Sequence, residues 1–418
     1  MDSNIIIHIE SKYLARTRIL NNLILGVLSL LVWYFIPILS IFFFLYLIGS
    51  SRIYLFKQTE MLLIVLVACS FGLISYVTGS GGTMDTDMIR YRQSFDTLAN
   101  LGTEQSFSSN YLFLAISLFV VKYISTDGQS MSFTFTAISY FFILISIRKL
   151  TKYYLQSKYL GLILFSVVFI ISILTTTEYV KQVLASSFFL YALTCKMTKS
   201  KHAYFWLICS LFAHVGSTIL ILPLFFYDTK FVKKYILYIL LVSLVFSQIN
   251  IVAVLAHFSN IPILVLFGLS EKLEAFSDFT SWGGSRRYYM IFAFYLLQII
   301  PIIYFFVKNK DLKNPIFLFF VLTVCILLFN MSNNHNFARL TRNLYPFHIL
   351  ALIISVQYVK IPYRKIPIYI TYMCLLGSTY VEFSQALLKK EYYPTFMGND
   401  WISLFVSNVS DFIHYTVS

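Results

Sequence analysis

The sequence predicts an all-α polytopic membrane protein with about 10–12 transmembrane helices, and three observations carry that prediction. Hydrophobic residues make up 58% of the chain and charged residues 12%. The mean hydropathy is +0.76. Nearly uncharged runs close to the roughly 20 residues that a bilayer core requires follow one another in series, where a soluble domain would interrupt them with charge.

Taken in order, the N-terminal segment MDSNIIIHIESKYLARTRIL carries charge and has no small-residue cleavage site behind a short apolar region. The first span is therefore expected to be retained rather than removed as a signal peptide. Spans are predicted at about 20–49, 60–78, 131–148, 158–175, 179–196 and 203–227. Others follow at about 235–256, 288–307, 314–331, 344–359 and 366–386. Pro37 makes the first either one long kinked helix or a tight pair. Residues 110–124 are apolar but short, and read equally well as an interfacial or a re-entering helix. Cys69, Cys195, Cys209, Cys325 and Cys374 each lie inside an apolar stretch without CxxC spacing or a His partner, so all five read as packing residues.

Orientation follows from lysine and arginine next to the spans, which collect in cytoplasmic loops. The clusters are Arg52/Lys57, Arg148/Lys149/Lys152/Lys158, Lys196/Lys199/Lys201, Lys308/Lys310/Lys313 and Lys360/Arg364/Lys365. Placing all five on one side puts loops at about 79–130, 271–287 and 332–343 on the other, provided that 110–124 does not cross. Lys230, Lys233 and Lys234 conflict with this unless 203–227 is a broken or re-entrant hairpin or 235–270 holds a single crossing. His214, Gly216 and Ser217 stand where a break would fall. The expected organisation is one transmembrane domain over residues 1–390 and an outer-face or interfacial tail over 391–418.

The richest polar stretch, SGGTMDTDMIRYRQSFDTLANLGTEQSFSSN, holds Asp85, Asp87, Arg90, Tyr91 and Arg92 within a few positions. Arg286, Arg287, Arg339 and Arg342 fall in the other two loops on that side. Arginines there run against the positive-inside bias, and a guanidinium fork suits bidentate contact with phosphate. The alternative for each is snorkelling to lipid head groups. The formal charge of +14 is otherwise cytoplasmic bias and attraction to anionic lipid, and no nucleic-acid module is present. Inside the spans, Glu178 and Lys181 stand three apart at a predicted helix start, where they either pair together or present Lys181 to a substrate phosphate. His214 is read either as a hydrogen-bonded packing residue or as a site residue. Asp85 and Asp87 alone make an incomplete oxygen site for a metal, and they also suit a turn or a helix cap.

These residues carry a resemblance. TDMIRYRQSF, the stretch from EYVKQVLASS to FAHVGSTILILPLFF, and NNHNFARLTRNLYPF resemble successive motifs of the EpsG/Wzy-type polysaccharide polymerases, in matching order and spacing. The family's Thr-Asp and following Tyr fall on Thr86, Asp87 and Tyr91. Its basic residue with Gln opening a helix falls on Lys181, Gln182 and Ala185, although the family usually has Arg at the first position. Its Ala-His and following Ser fall on Ala213, His214 and Ser217, and its late Asn, Phe-x-Arg and Tyr on Asn336, Phe337, Arg339 and Tyr345. The family's Arg just upstream of Thr-Asp has no counterpart in residues 70–84.

The resemblance implies an architecture similar to lipid-dependent (GT-C-like) glycosyltransferases. It implies inverting glycosyl transfer between polyprenyl-diphosphate-linked oligosaccharides at the outer, periplasmic face of the bacterial inner membrane, building O-antigen, capsule or exopolysaccharide. No metal or cofactor is expected. Such a reaction needs a group that accepts the proton of the attacking sugar hydroxyl and cations that stabilise the departing diphosphate. Asp87 is the first candidate for the former, with Asp85 and His214 behind it. Lys181, Arg339 and Arg342, with Arg90, Arg92, Arg286 and Arg287, are candidates for the latter. Tyr91, Gln182, Asn336 and Tyr345 are substrate-positioning candidates. Expected partners are the lipid-linked oligosaccharide, membrane lipid, and a chain-length regulator and flippase of the same pathway. The competing readings are a lipid-linked oligosaccharide flippase, an O-antigen ligase and a membrane acyltransferase.

Overall fold

The computed structural model describes residues 3–50, 53, 55–77, 91–93, 95, 96, 111–155, 164, 180–214, 219–247, 249, 254, 257, 293, 299–331, 334–356, 358, 369, 373 and 405–414. At 3–15, 111, 155, 334–339, 341–343, 345 and 356 it describes the backbone alone. Among these residues the chain is helical without a strand, as composition predicts. The predicted spans at about 158–175 and 366–386 lie almost wholly outside the described residues, and that at 288–307 is described mainly from 299 onward.

The first predicted span is a tight pair. α1 (Ser3–Phe35) runs alongside α3 (Lys57–Val77) in the same direction. Asn22 Oδ1 accepts the Phe56 N–H at 2.8 Å, and Trp33 Nε1 donates to Ser70 Oγ at 3.0 Å further along. At Ile36 the backbone leaves the helical region, with φ −141° and ψ 63°, and Pro37 opens α2 (Pro37–Gly49). Proline suits a first helical position because its missing N–H would have no partner there. α2 then carries the chain back towards the start of α3.

α3 and α5 (Gly128–Leu155) form an antiparallel pair at the centre. Gly72 sets their approach, since a Cβ there would lie 2.8 Å from the Phe133 ring and 3.0 Å from its carbonyl oxygen. Small residues permit such close backbone contact between membrane helices. Phe71 and Tyr140 stack beside it, with centroids 3.9 Å apart. At one end, buried Glu60 accepts hydrogen bonds from Arg148 Nε at 2.5 Å and Lys152 Nζ at 2.8 Å, and pairs with a second Arg148 nitrogen. At the other, Thr136 Oγ1 donates to Ser75 Oγ at 2.9 Å. The chain that leaves α3 and re-enters α5 therefore starts and finishes at the same end. Within it, α4 (Tyr111–Tyr123) has 13 residues, roughly 20 Å of helix against a bilayer core of about 30 Å.

α6 (Val180–Met197) runs parallel to α5, and α7 (Ala203–Ala213) returns along α6. The run predicted as one span at 203–227 folds back on itself as two helices, one of the two alternatives that the lysines after it left open. α7 stops at His214, whose backbone is extended at φ −161°, ψ 122°. α8 (Ile221–Phe226) is already back beside the start of α7, where Tyr204 and Phe225 stack with centroids 6.0 Å apart. Lys196 Nζ donates to the Leu224 carbonyl at 2.5 Å and faces the rings of Phe225 and Tyr227 at 5.1 and 5.3 Å. A lysine there supplies a donor to the carbonyls that a helix end leaves without partners.

Thr229 caps α9 (Lys230–Phe246), and Asn314 caps α11 (Pro315–Phe329). α10 (Ile299–Lys308) precedes α11, and Phe306 stacks on Phe317 with centroids 4.8 Å apart. α12 (Asn334–Val356) runs back along α11 and also packs on α5 and α6. The polar stretch expected as a loop at 332–343 is, from Asn334 onward, the first turns of this helix. Polarity marks where a helix leaves apolar surroundings, not where it stops. A short α13 (Val409–Ile413) rests on α1 and α3.

Three of the described helices are long and apolar enough to cross a bilayer by length and composition: Arg16–Phe35, Lys57–Val77 and Gly128–Tyr154. Leu23, Tyr204, Phe205, Leu241 and Val245 stand exposed on α1, α7 and α9, as expected of faces solvated by lipid. The contacts sort the ends. Lys57, Glu60/Arg148/Lys152, Lys196 and the Asp228–Lys233 pair gather at one end with Tyr358, whose hydroxyl meets Asp311. The starts of α5, α6 and α12 and the end of α7 lie at the other.

Candidate functional site

At the end opposite the lysines, Lys181 stands in the first turn of α6 with only 7% of its surface exposed. Its ammonium faces two rings, Tyr91 at 4.3 Å and Phe113 of α4 at 4.7 Å from the centroids. Those rings lie 5.7 Å apart, and Phe113 stacks on Phe135 of α5 at 4.2 Å. Ring faces attract a cation, and the attraction grows where water is excluded. The dipole of α6 opposes a positive charge in its first turn. An anion at this position would meet the ammonium and the positive helix end together.

Around the lysine is a small apolar cluster that includes Phe95, Phe113, Phe135, Leu184, Ala185 and Ala213, with Tyr91 packed against it. Three stretches far apart in sequence, represented by Tyr91, Lys181/Ala185 and Ala213/His214, therefore meet in one place. Ser210 Oγ donates to the Ala185 carbonyl at 2.7 Å, which docks the tip of α7 onto α6. His214 follows directly, half-buried, its backbone N–H donating to the Ser210 carbonyl at 3.1 Å. Gln182 is half-buried next to Lys181.

α12 brings in the fourth stretch by register. Phe189 of α6 and Phe347 of α12 both pack on Phe319, with centroids 6.2 and 4.9 Å away. Positions 181 and 339 each lie about eight residues, roughly 12 Å of helix, before those phenylalanines on helices running the same way. Arg339 thus occupies the level of Lys181, with Asn336, Arg342 and Tyr345 within two turns of it on α12. Asp85, Asp87, Arg90, Arg286 and Arg287 lie outside the described residues. Among those described, no group of three His, Cys, Asp or Glu side chains could hold a metal ion.

Arg92, expected to face substrate, is instead bound into protein. Its Nε donates to Ser132 Oγ at 3.0 Å, and a terminal nitrogen donates to the Ser75 carbonyl at 3.1 Å. Burial pulls its pKa down to about 10, against the opposing pull of the Asp127 and Asp96 carboxylates, so it stays charged at neutral pH. Asp96 is pushed up by partial burial and by the charge of Asp127, against the hydrogen bond from Gly128. Asp127 caps α5, accepting the Gln129 N–H at 3.0 Å, and accepts the Tyr76 hydroxyl at 3.1 Å. Sequence reasoning passed over Phe113 and Asp127. An Asp just before a helix could have been read as its cap, but nothing in an apolar run singles out one Phe as a cation's partner.

A family model described as the EpsG family matches residues 64–396, from within α3 through all four of these stretches. The chain belongs to the EpsG family. This is a family of Wzy-type polysaccharide polymerase-like membrane proteins, and the helical, lipid-facing structure agrees with it. No curated protein and no solved structure matches the chain.

Proposed function

We propose that this EpsG-family protein polymerises polyprenyl-diphosphate-linked oligosaccharide repeat units by glycosyl transfer at the outer face of the bacterial inner membrane. The observation that carries the reading is Lys181, a buried ammonium facing two adjacent rings at a helix start. Charge kept away from water at that cost is a functional candidate, and its position suits a diphosphate. In the reaction, the hydroxyl of an acceptor sugar attacks the anomeric carbon of the donor. The bond to the diphosphate breaks, and the leaving group takes the electron pair. Lys181, with Arg339 and Arg342 from α12, stabilises that developing charge. Asp87 takes the hydroxyl proton, with Asp85 and His214 as the next candidates.

The test is deletion of the gene in the source bacterium and complementation with variants, with lipid-linked glycan resolved by length. The deletion is expected to collapse the ladder to single repeat units. Lys181→Met should leave it collapsed, with turnover down about a hundredfold, and Lys181→Arg should restore long chains because it keeps the charge. Intact repeat units trapped on the cytoplasmic leaflet would make the protein a flippase. Long polymer that never reaches its final acceptor would make it a ligase.

A further inference from the structure

Tyr91, Arg92, Phe95 and Asp96 lie on one helical stretch, and their side chains divide between two neighbours. Tyr91 and Phe95, four apart and so on one face, pack into the apolar cluster beside Lys181. Arg92 and Asp96, also four apart, face the junction where α3 ends and α5 begins. There one guanidinium spans Ser132 on α5 and the Ser75 carbonyl on α3, among the charges of Asp127 and Asp96. Gly128 completes the fit, since a Cβ on it would lie 3.1 Å from both Arg92 Cβ and Asp96 Oδ1. The stretch is thus seated directly on the start of α5.

We propose that Arg92 is a positioning residue: anchored across the α3–α5 junction against Gly128, it sets the Tyr91 ring over the Lys181 ammonium and does not itself contact substrate. A tyrosine ring has two side-chain torsions, so its placement follows its backbone closely. The hold of a ring on a cation depends on their separation, here 4.3 Å. The proposal rests on the polymerase reading only for its kinetic assay.

Two measurements test it. In membranes supplied with lipid-linked repeat units, Arg92→Gln is expected to lower kcat about tenfold or more while KM stays near the wild-type value. Arg92→Lys, which keeps a charge beside Asp127, should fall between. In a Tyr91→Ala background the Arg92→Gln loss should largely vanish, because the residue acts through the ring. The second measurement needs no activity. In a chain with its native cysteines replaced, Tyr91→Cys and Phe113→Cys are joined by a short bis-maleimide, and Arg92→Gln should cut the yield severalfold. Unchanged cross-linking overturns the proposal whatever the kinetics. A raised KM with losses that multiply in the Tyr91→Ala background also overturns it and makes Arg92 a direct substrate contact. If wild-type membranes do not polymerise, the functional reading fails, and the cross-link alone decides the role of Arg92.

Discussion

Glu60 holds a carboxylate inside the α3–α5 pair with 5% of its side chain exposed, facing Arg148 at 14% and Lys152 at 38%. The exposures decide what its loss would do. Lys152 can swing its ammonium outward, whereas Arg148 would be left as a buried charge without its counter-ion. Glu60→Gln is therefore expected to destabilise the fold by about 3 kcal/mol, read as a lower thermal midpoint in detergent. Adding Arg148→Leu should recover most of that loss, while adding Lys152→Leu should recover little. Equal recovery from both would mean that the two cations share the carboxylate evenly. Arg148 and Lys152 were legible in the sequence as a positive-inside cluster. Their partner was not, because Glu60 is close to neither in the chain and only helix pairing brings it to them.

The α7–α8 hairpin shows where sequence reading reaches its limit for an element. Residues 203–227 are apolar and long enough to cross, and hydropathy records length without direction. The contrary signals were His214, Gly216 and Ser217 in mid-run and the lysines that follow, since Lys230, Lys233 and Lys234 would otherwise fall on the wrong side. The structure resolves the conflict by turning the chain back at His214, so that Lys196 meets Leu224 and Tyr204 meets Phe225. α7 ends there, with Ala213 in the apolar cluster beside Lys181 and His214 directly after it. In a cysteine-free chain, Lys201→Cys and Lys230→Cys should react with a membrane-impermeant maleimide from the same face. Labelling from opposite faces would show a complete crossing and overturn the hairpin.

At the scale of the whole molecule, charge and fold agree on a polarity. Lys57, Arg148, Lys152, Lys196 and Lys233 gather at one end. Tyr91, Lys181, His214 and the start of α12 collect at the other. The ordering of the described helix ends was legible in advance from the lysine and arginine clusters. The division of labour among the arginines was not, because composition cannot distinguish a guanidinium bound into a helix junction, as at Arg92, from one free to meet a ligand. The positive-inside bias predicts which way the polarity points, with the lysine end expected in the cytoplasm. Thr126, exposed on the turn into α5, and Lys57, exposed at the start of α3, mark the two ends without touching the site. In cysteine-free chains, Thr126→Cys should label in spheroplasts with an impermeant maleimide, and Lys57→Cys only once the membrane is opened or inverted. The reverse pattern would place Lys181 and Tyr91 at the cytoplasmic leaflet, where repeat units exist before they are moved outward. A polymerase acting on exported units could not work from that side, so this outcome would end the proposed function even with every contact around Lys181 intact.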